Sequence, residues 1–267
     1  MKRVLLGPGG FDELRNELSG RDHAIVDQVG ELRLMTGRQV AAMFYPAEEY
    51  NSAIGAVRQA NRSLTKLTED RLLLRLERRI GGIHAGSGSF TYGLGPVGER
   101  LLARDGARRR YREPSARFVD HTLAVSQLVT DLVVAARRKE FTVLGCQAEP
   151  RCWREFSGPG GRIVLRPDLY VAIGAGGYEQ RFFVEVDRAT EHLPALLRKC
   201  RLYEAYYQSG REQAAHGVAP RTCWIVPDDR RAKALRRTIA SDRRLTQALF
   251  VVTTTEHALA VLSGGSP

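Results

Sequence analysis

The sequence predicts a two-domain protein of the α+β / α/β class, a small helical domain with a β-hairpin ahead of a mixed sheet flanked by helices. Three observations predict it. The 267 residues exceed the roughly 150 of one ordinary domain. Residues 22 to 104 carry helical apolar periods followed by two short strand-like runs, while residues 117 to 262 interleave helices with β-branched runs. Between them, Asp105-Gly106-Ala107-Arg108-Arg109-Arg110-Tyr111-Arg112-Glu113-Pro114 is a charged run ending in Pro, so residues 105 to 116 read as a basic linker.

In the first domain, Ile25, Val26, Val29, Leu32 and Leu34 follow a helical period. Thr36 then caps a short helix with Val40, Ala41, Met43 and Phe44, closed by Pro46. A third helix has Ile54, Val57, Leu64 and Leu67 as its expected apolar stripe, and Arg58, Arg62 and Lys66 recur every four residues on another face. Leu72, Leu74 and Leu76 alternate with Arg71, Arg75 and Glu77 as a half-exposed strand. Gly81 to Ser89 makes a hairpin tip, Phe90 to Leu94 returns, and Pro96 opens a helix containing Val97, Leu101 and Leu102. This is the element order of a winged helix-turn-helix with the basic helix in the recognition position. Like charges four apart repel, and a polyanion along them reverses that sign. Arg58, Arg62 and Lys66 are therefore the expected DNA contacts, with Asn61 and Thr65, beside Gln59, in reach of base edges.

The second domain opens with a helix from His121 to Lys139 and a strand from Phe141 to Gly145. Strands follow at Ile163 to Ile173 and Arg181 to Asp187, joined through Ile173 to Gly177. A helix from Leu193 to Gln208, a strand from Thr222 to Val226, a helix from Ala232 to Ala240 and a strand from Ala248 to Val252 complete it. Arg166-Pro167-Asp168 and Glu185-Val186-Asp187 set three carboxylates at the ends of two apolar strands. Carboxylates crowded in an apolar sheet repel, so a cation holds them, a basic side chain pairs with them, or one is protonated. Glu149 and Glu155 beside Cys152-Trp153 read as solvated loop residues, and Glu191 and His192 as first-turn helix residues.

The formal charge of +11, with Arg far commoner than Lys, points to a polyanionic partner. Cys146, Cys152, Cys200 and Cys223 lack C-x-x-C spacing, which argues against a zinc knuckle and for a reducing compartment. The apolar start stops at Gly7-Pro8, too short for a secretory leader, and no run approaches the ~18 apolar residues of a membrane span. The expected setting is cytoplasmic, with no membrane partner. No Ser/His/Asp order, Walker loop or H-E-x-x-H motif is present.

Pro167-Asp168 and Glu185-Val186-Asp187, in this strand context, resemble the motifs of the PD-(D/E)XK, restriction-endonuclease-like superfamily. From roughly Val26 to Leu262 the chain also resembles the replication-relaxation family of actinobacterial plasmid and mobile-element proteins, through Arg166-Pro167-Asp168, Phe183 to Arg188, and the Lys199 to Tyr203 helix segment. The resemblance implies Mg²⁺- or Mn²⁺-dependent phosphodiester cleavage, with Asp168 and Glu185 holding the metal beside the Val186 carbonyl. It departs where the superfamily usually has Lys and this chain has Asp187. Either Lys199 returns an ammonium from the following helix, or Asp187 acts as a third metal ligand or base. Tyr203, one turn beyond Lys199, resembles the polar-aromatic helix motif of RecB-like nucleases.

The implied function is a DNA-binding protein with a metal-dependent nuclease-like domain in plasmid or mobile-element replication and maintenance. Its partners would be DNA, plasmid replication or transfer proteins, and a second copy in a homodimer. The rival readings are a non-catalytic DNA-binding accessory factor and a winged-helix transcriptional regulator whose second domain self-associates.

Overall fold

The computed structural model describes residues 8–76, 89–102, 115–158 and 160–265. The expected hairpin tip at 81 to 88, Glu77, the basic linker up to Pro114 and the opening apolar run lie outside them. The chain divides into two compact units, Met1–Thr130 and Asp131–Pro267.

The first unit contains α1 (Pro8–Glu17), α2 (Gly20–Leu32), β1 (Leu34–Thr36), α3 (Gly37–Phe44), α4 (Ala53–Glu69), β2 (Leu73–Leu76), β3 (Thr91–Leu94), α5 (Pro96–Leu102) and the start of α6 (Ala116–Arg137). Expected and observed order agree for three helices, two strands and the following helix. β1 is an addition: Arg33 at φ 67° ends α2, and Leu34 leaves the helix to start a strand. Its pairing with β3 makes an antiparallel sheet ordered β1-β3-β2. Thr36 caps α3 in a reciprocal box, its hydroxyl accepting from Gln39 N–H at 3.2 Å and Gln39 Oε1 accepting from Thr36 N–H at 2.8 Å.

The expected stripe of α4 needs correction. Ala56, Ala60, Leu64 and Leu67 are its buried positions, whereas Ile54 and Val57 are exposed. Helical spacing from Leu64 and Leu67 runs back to Ala60 and Ala56, and these small residues let α4 sit close to its neighbours. Gly98 of α5 is similarly constrained, since a Cβ there would lie 2.2 Å from the Leu72 carbonyl oxygen.

The division between units falls inside α6. Residues 117 to 130, which composition groups with the second domain, pack in the first unit: Ser126 Oγ donates to the Leu34 carbonyl at 2.6 Å, and Gln39 Nε2 donates to the Leu123 carbonyl at 3.1 Å. Among the described residues α6 alone is long and apolar enough to cross a membrane by length and composition. Buried Ser126 and Thr130, and Asp120 and Asp131, interrupt its apolar surface.

The second unit runs β4 (Thr142–Ala148), β5 (Arg154–Gly158), β6 (Gly161–Leu165), β7 (Leu169–Ala175), β8 (Tyr178–Val186), α7 (Leu193–Gln208), α8 (Arg211–His216), β9 (Arg221–Val226), α9 (Asp229–Ser241), β10 (Phe250–Thr254) and α10 (Ala258–Leu262). Its main sheet is mixed and ordered β10-β9-β8-β7-β4, antiparallel from β8 through β4 and parallel from β8 through β10. The expected strand from Ile163 to Ile173 is two strands. Arg166-Pro167-Asp168 separates them, because Pro167 has no N–H for a ladder. β6 pairs instead with β5, which places Glu155 in a strand rather than a loop.

One face of this sheet is covered by α7, α9 and the β5-β6 hairpin. Tyr170, Ala172 and Phe183 pack with Phe156, Leu165, Tyr203 and Tyr206, and Trp224, Val226 and Val252 pack with Leu196, Cys200, Leu235 and Ile239. Burial of these large side chains contributes roughly 1.5–3 kcal/mol each. It also fixes which face of α7 looks at the sheet.

Candidate active site

Hairpin geometry brings the first two carboxylates together. Gly176 and Gly177, at φ 57° and 82°, make a two-residue turn that other residues enter only with strain. The turn sets the register that pairs Leu169 with Val184. Continued by one residue, this register puts Asp168 opposite Glu185. Asp168 N–H donates to the Val184 carbonyl at 3.1 Å, and its Oδ2 accepts from Val186 N–H at 2.7 Å. Both are buried, at 8% and 2% exposure.

Helix α7 completes the cluster. His192 occupies its N-cap position and Pro194 its first turn, so Glu191 and His192 precede the helix instead of forming its first turn. Leu196, Cys200 and Tyr203 face the core, and Lys199 stands one turn before Tyr203. Tyr203 OH donates to Glu185 Oε1 and Lys199 Nζ donates to Glu185 Oε2. Lys199 also lies 5.9 Å from the Trp224 ring centroid and remains 33% exposed, at the rim of the cluster.

The electrostatics follow from burial. Glu185 is pushed up to about 8, first by desolvation and then by the charge of Asp168, against the opposing pull of Lys199 and Tyr203. Burial alone disfavours the Lys199 ammonium, but Glu185 and Asp168 more than reverse this, so its pKa rises. Burial and Glu185 push Tyr203 well above its ordinary value, which keeps the phenol a donor.

Asp187 sits elsewhere in the same region. β8 ends at Val186, and Asp187 turns toward α9, accepting from Ala189 N–H at 2.9 Å and from Arg231 Nε at 2.6 Å. Arg231 also donates to the Glu191 carbonyl at 2.5 Å. Among the described residues, no three His, Cys, Asp or Glu side chains are grouped to hold a metal ion. The structure therefore brings together Asp168, Glu185, Lys199 and Tyr203, and gives Asp187 to Arg231.

A family model described as replication-relaxation matches residues 27–222, most of the chain and both units. The chain belongs to the replication-relaxation family. Membership associates it with the replication of plasmids and mobile elements. No curated protein and no solved structure matches the chain.

In this replication-relaxation protein the matched span includes Asp168, Glu185, Asp187, Lys199 and Tyr203, while Arg231 falls beyond it. Arg231 is the residue that sequence reasoning missed. Asp228 caps α9 by accepting from Arg231 N–H at 2.7 Å, and the Asp-Asp-Arg-Arg start was the available signal. Arg166 and Arg188, the basic residues nearest the acidic motifs, go elsewhere: Arg166 stacks 4.7 Å from the Trp153 ring and Arg188 is exposed. Cys152 donates to the Pro167 carbonyl at 3.0 Å, and burial, with Glu149 and Asp168, pushes its thiol up to about 12. It is inert at neutral pH. In the first unit, Arg58, Asn61, Arg62, Thr65 and Lys66 are all exposed along α4.

Proposed function

We propose that this replication-relaxation protein binds DNA through α4 of a winged helix-turn-helix and cleaves phosphodiester bonds at the Asp168-Glu185 cluster of a PD-(D/E)XK-like domain. The observation that carries the reading is the convergence on Glu185 of Lys199 and Tyr203, opposite Asp168. The donor set fits a magnesium-type ion, which is commonly held by one or two carboxylates with water completing its shell. Asp168 and Glu185 would hold it, and a cation there would offset the repulsion from Asp168 that, after burial, raises the pKa of Glu185. When bound, such an ion lowers the pKa of a water and offsets charge on phosphorus.

The chain's own groups supply the rest. Tyr203 orients the Glu185 carboxylate, and Val186 N–H holds Asp168. Lys199, partly exposed, is the cation positioned to stabilise charge developing on a phosphate. Asp187 supports the end of β8 through Arg231, so Lys199 is preferred over Asp187 for the role of the usual superfamily Lys. The rival accessory-factor reading is favoured by one feature, the occupation of both Glu185 oxygens by internal donors. Incubation of supercoiled, linear and branched DNA with Mg²⁺ or Mn²⁺ distinguishes them. Cleavage by the native protein and none by Asp168→Ala is expected; absent cleavage by the native protein would leave the accessory factor, and cleavage that needs no metal or survives Asp168→Ala would refute the Asp168-Glu185 metal site.

A further inference from the structure

The exposed face of α4 changes chemistry along its length. Ile54 and Val57 are 65% and 48% exposed near the N-terminus, exposed Asn61 and Thr65 continue their face at helical spacing, and exposed Arg58, Arg62 and Lys66 wind away beside it. Ala56, Ala60, Leu64 and Leu67 are buried, and Val57, one turn before Ala60 and two before Leu64, stands at the edge of that buried face while Ile54 lies further from it. Two β-branched side chains left in water forgo the gain of burial within the unit. A partner that covers them recovers that gain.

We propose that Ile54 and Val57 read the 5-methyl groups of thymine in the major groove of duplex DNA. The inference rests on α4 being the DNA-contacting helix and adds to it a chemical preference. The thymine methyl lies in the major groove, where aliphatic side chains discriminate it by contact. The N-terminal residues of a groove-bound helix are those that reach base edges. A rise of about 1.5 Å per residue separates Ile54 from Val57 by ~4.5 Å along the axis, so the pair spans a little more than one ~3.4 Å base step.

Charge complementarity selects this occupant. Arg58, Arg62 and Lys66 form a row that starts one turn after Ile54 and runs along the flank away from Val57, and such a row suits phosphates at one side of a groove. A second copy of the chain on the same face would oppose cation to cation, an arrangement that association disfavours.

The test compares the full chain, without divalent metal, on a short alternating adenine-thymine duplex and on the same duplex with deoxyuridine replacing thymidine, by fluorescence anisotropy at fixed salt. The native protein should prefer thymine by about fourfold or more, the effect of one methyl group buried. Ile54→Ala with Val57→Ala should bind both duplexes equally, with unchanged melting temperature and salt dependence. Exchanging the two as Ile54→Val with Val57→Ile should retain the preference. Equal affinity of the native protein for both duplexes overturns this inference while leaving DNA binding intact, and no binding to either overturns the DNA reading with it. A concentration-dependent dimer in sedimentation that the double Ala variant abolishes would assign the pair to self-association instead.

Discussion

Lys199 and Tyr203, one turn apart on α7, donate to different oxygens of Glu185, while the hairpin register sets Asp168 opposite that carboxyl. Two donors therefore reach a carboxyl that the charge of Asp168 repels. The arrangement has consequences that can be measured separately from cleavage.

The metal-free protein should gain stability when Mg²⁺ or Mn²⁺ is added, by the mass action of a ligand that binds only the folded state. Asp168→Asn should abolish that gain and, above about pH 8 where Glu185 carries its charge, raise the melting temperature of the metal-free protein by removing the repulsion on Glu185. Thermal melts with and without each ion check both effects. A metal-induced shift that survives in Asp168→Asn would refute the site.

Glu185 gives a pH dependence of unusual sign for a carboxyl. Its folded value of about 8 lies above the ordinary 4.5, so the folded state holds a proton that the unfolded state releases between those values. The contribution is fully present below about 4.5 and lost as pH rises through about 8. Glu185→Gln should flatten the fall in metal-free stability over this window in denaturant titrations. Metal binding, which competes with the proton, should strengthen as pH rises over the same window.

Lys199→Ala should lower cleavage by roughly 10²-fold or more, a loss of about 3 kcal/mol in transition-state stabilisation, with DNA affinity nearly unchanged. Asp187→Ala should act on stability. It leaves Arg231, with a side chain only 15% exposed, the Glu191 carbonyl but no carboxylate, and breaking such a largely buried pair costs about 3 kcal/mol. Single-turnover cleavage and chemical denaturation of both variants separate the roles. Normal cleavage by Lys199→Ala together with a stable, inactive Asp187→Ala would reverse the assignment.

Neutralising Arg58, Arg62 and Lys66 together should weaken binding to every DNA sequence and flatten the slope of log affinity against log salt by about 2 to 3, since each phosphate contact contributes roughly 0.9. Anisotropy titrations at several salt concentrations give the slope. An unchanged slope would mean that this face of α4 does not meet phosphate.

The Asp168-Glu185 meeting was legible because two strands and a Gly-Gly turn leave little freedom in the register. Lys199 and Tyr203 were legible as residues four apart on one helix. Arg231 was not, because its contact with Asp187 spans 44 residues and a parallel crossover, and local periodicity carries no such information. Ile54 and Val57 were misassigned for a related reason. An apolar residue at an acceptable helical spacing looks like core until neighbouring Ala residues take the buried positions. The β5-β6 hairpin was hidden by the continuous apolar run on either side of Arg166-Pro167-Asp168.

The family match ends at residue 222, just inside β9. A chain shortened to the matched span would lose most of β9 and all of β10, leaving β8 as an uncovered edge. Its backbone N–H and C=O groups would then offer a template for pairing with other molecules. The span that identifies the family is therefore smaller than the segment that keeps β8 paired on both sides.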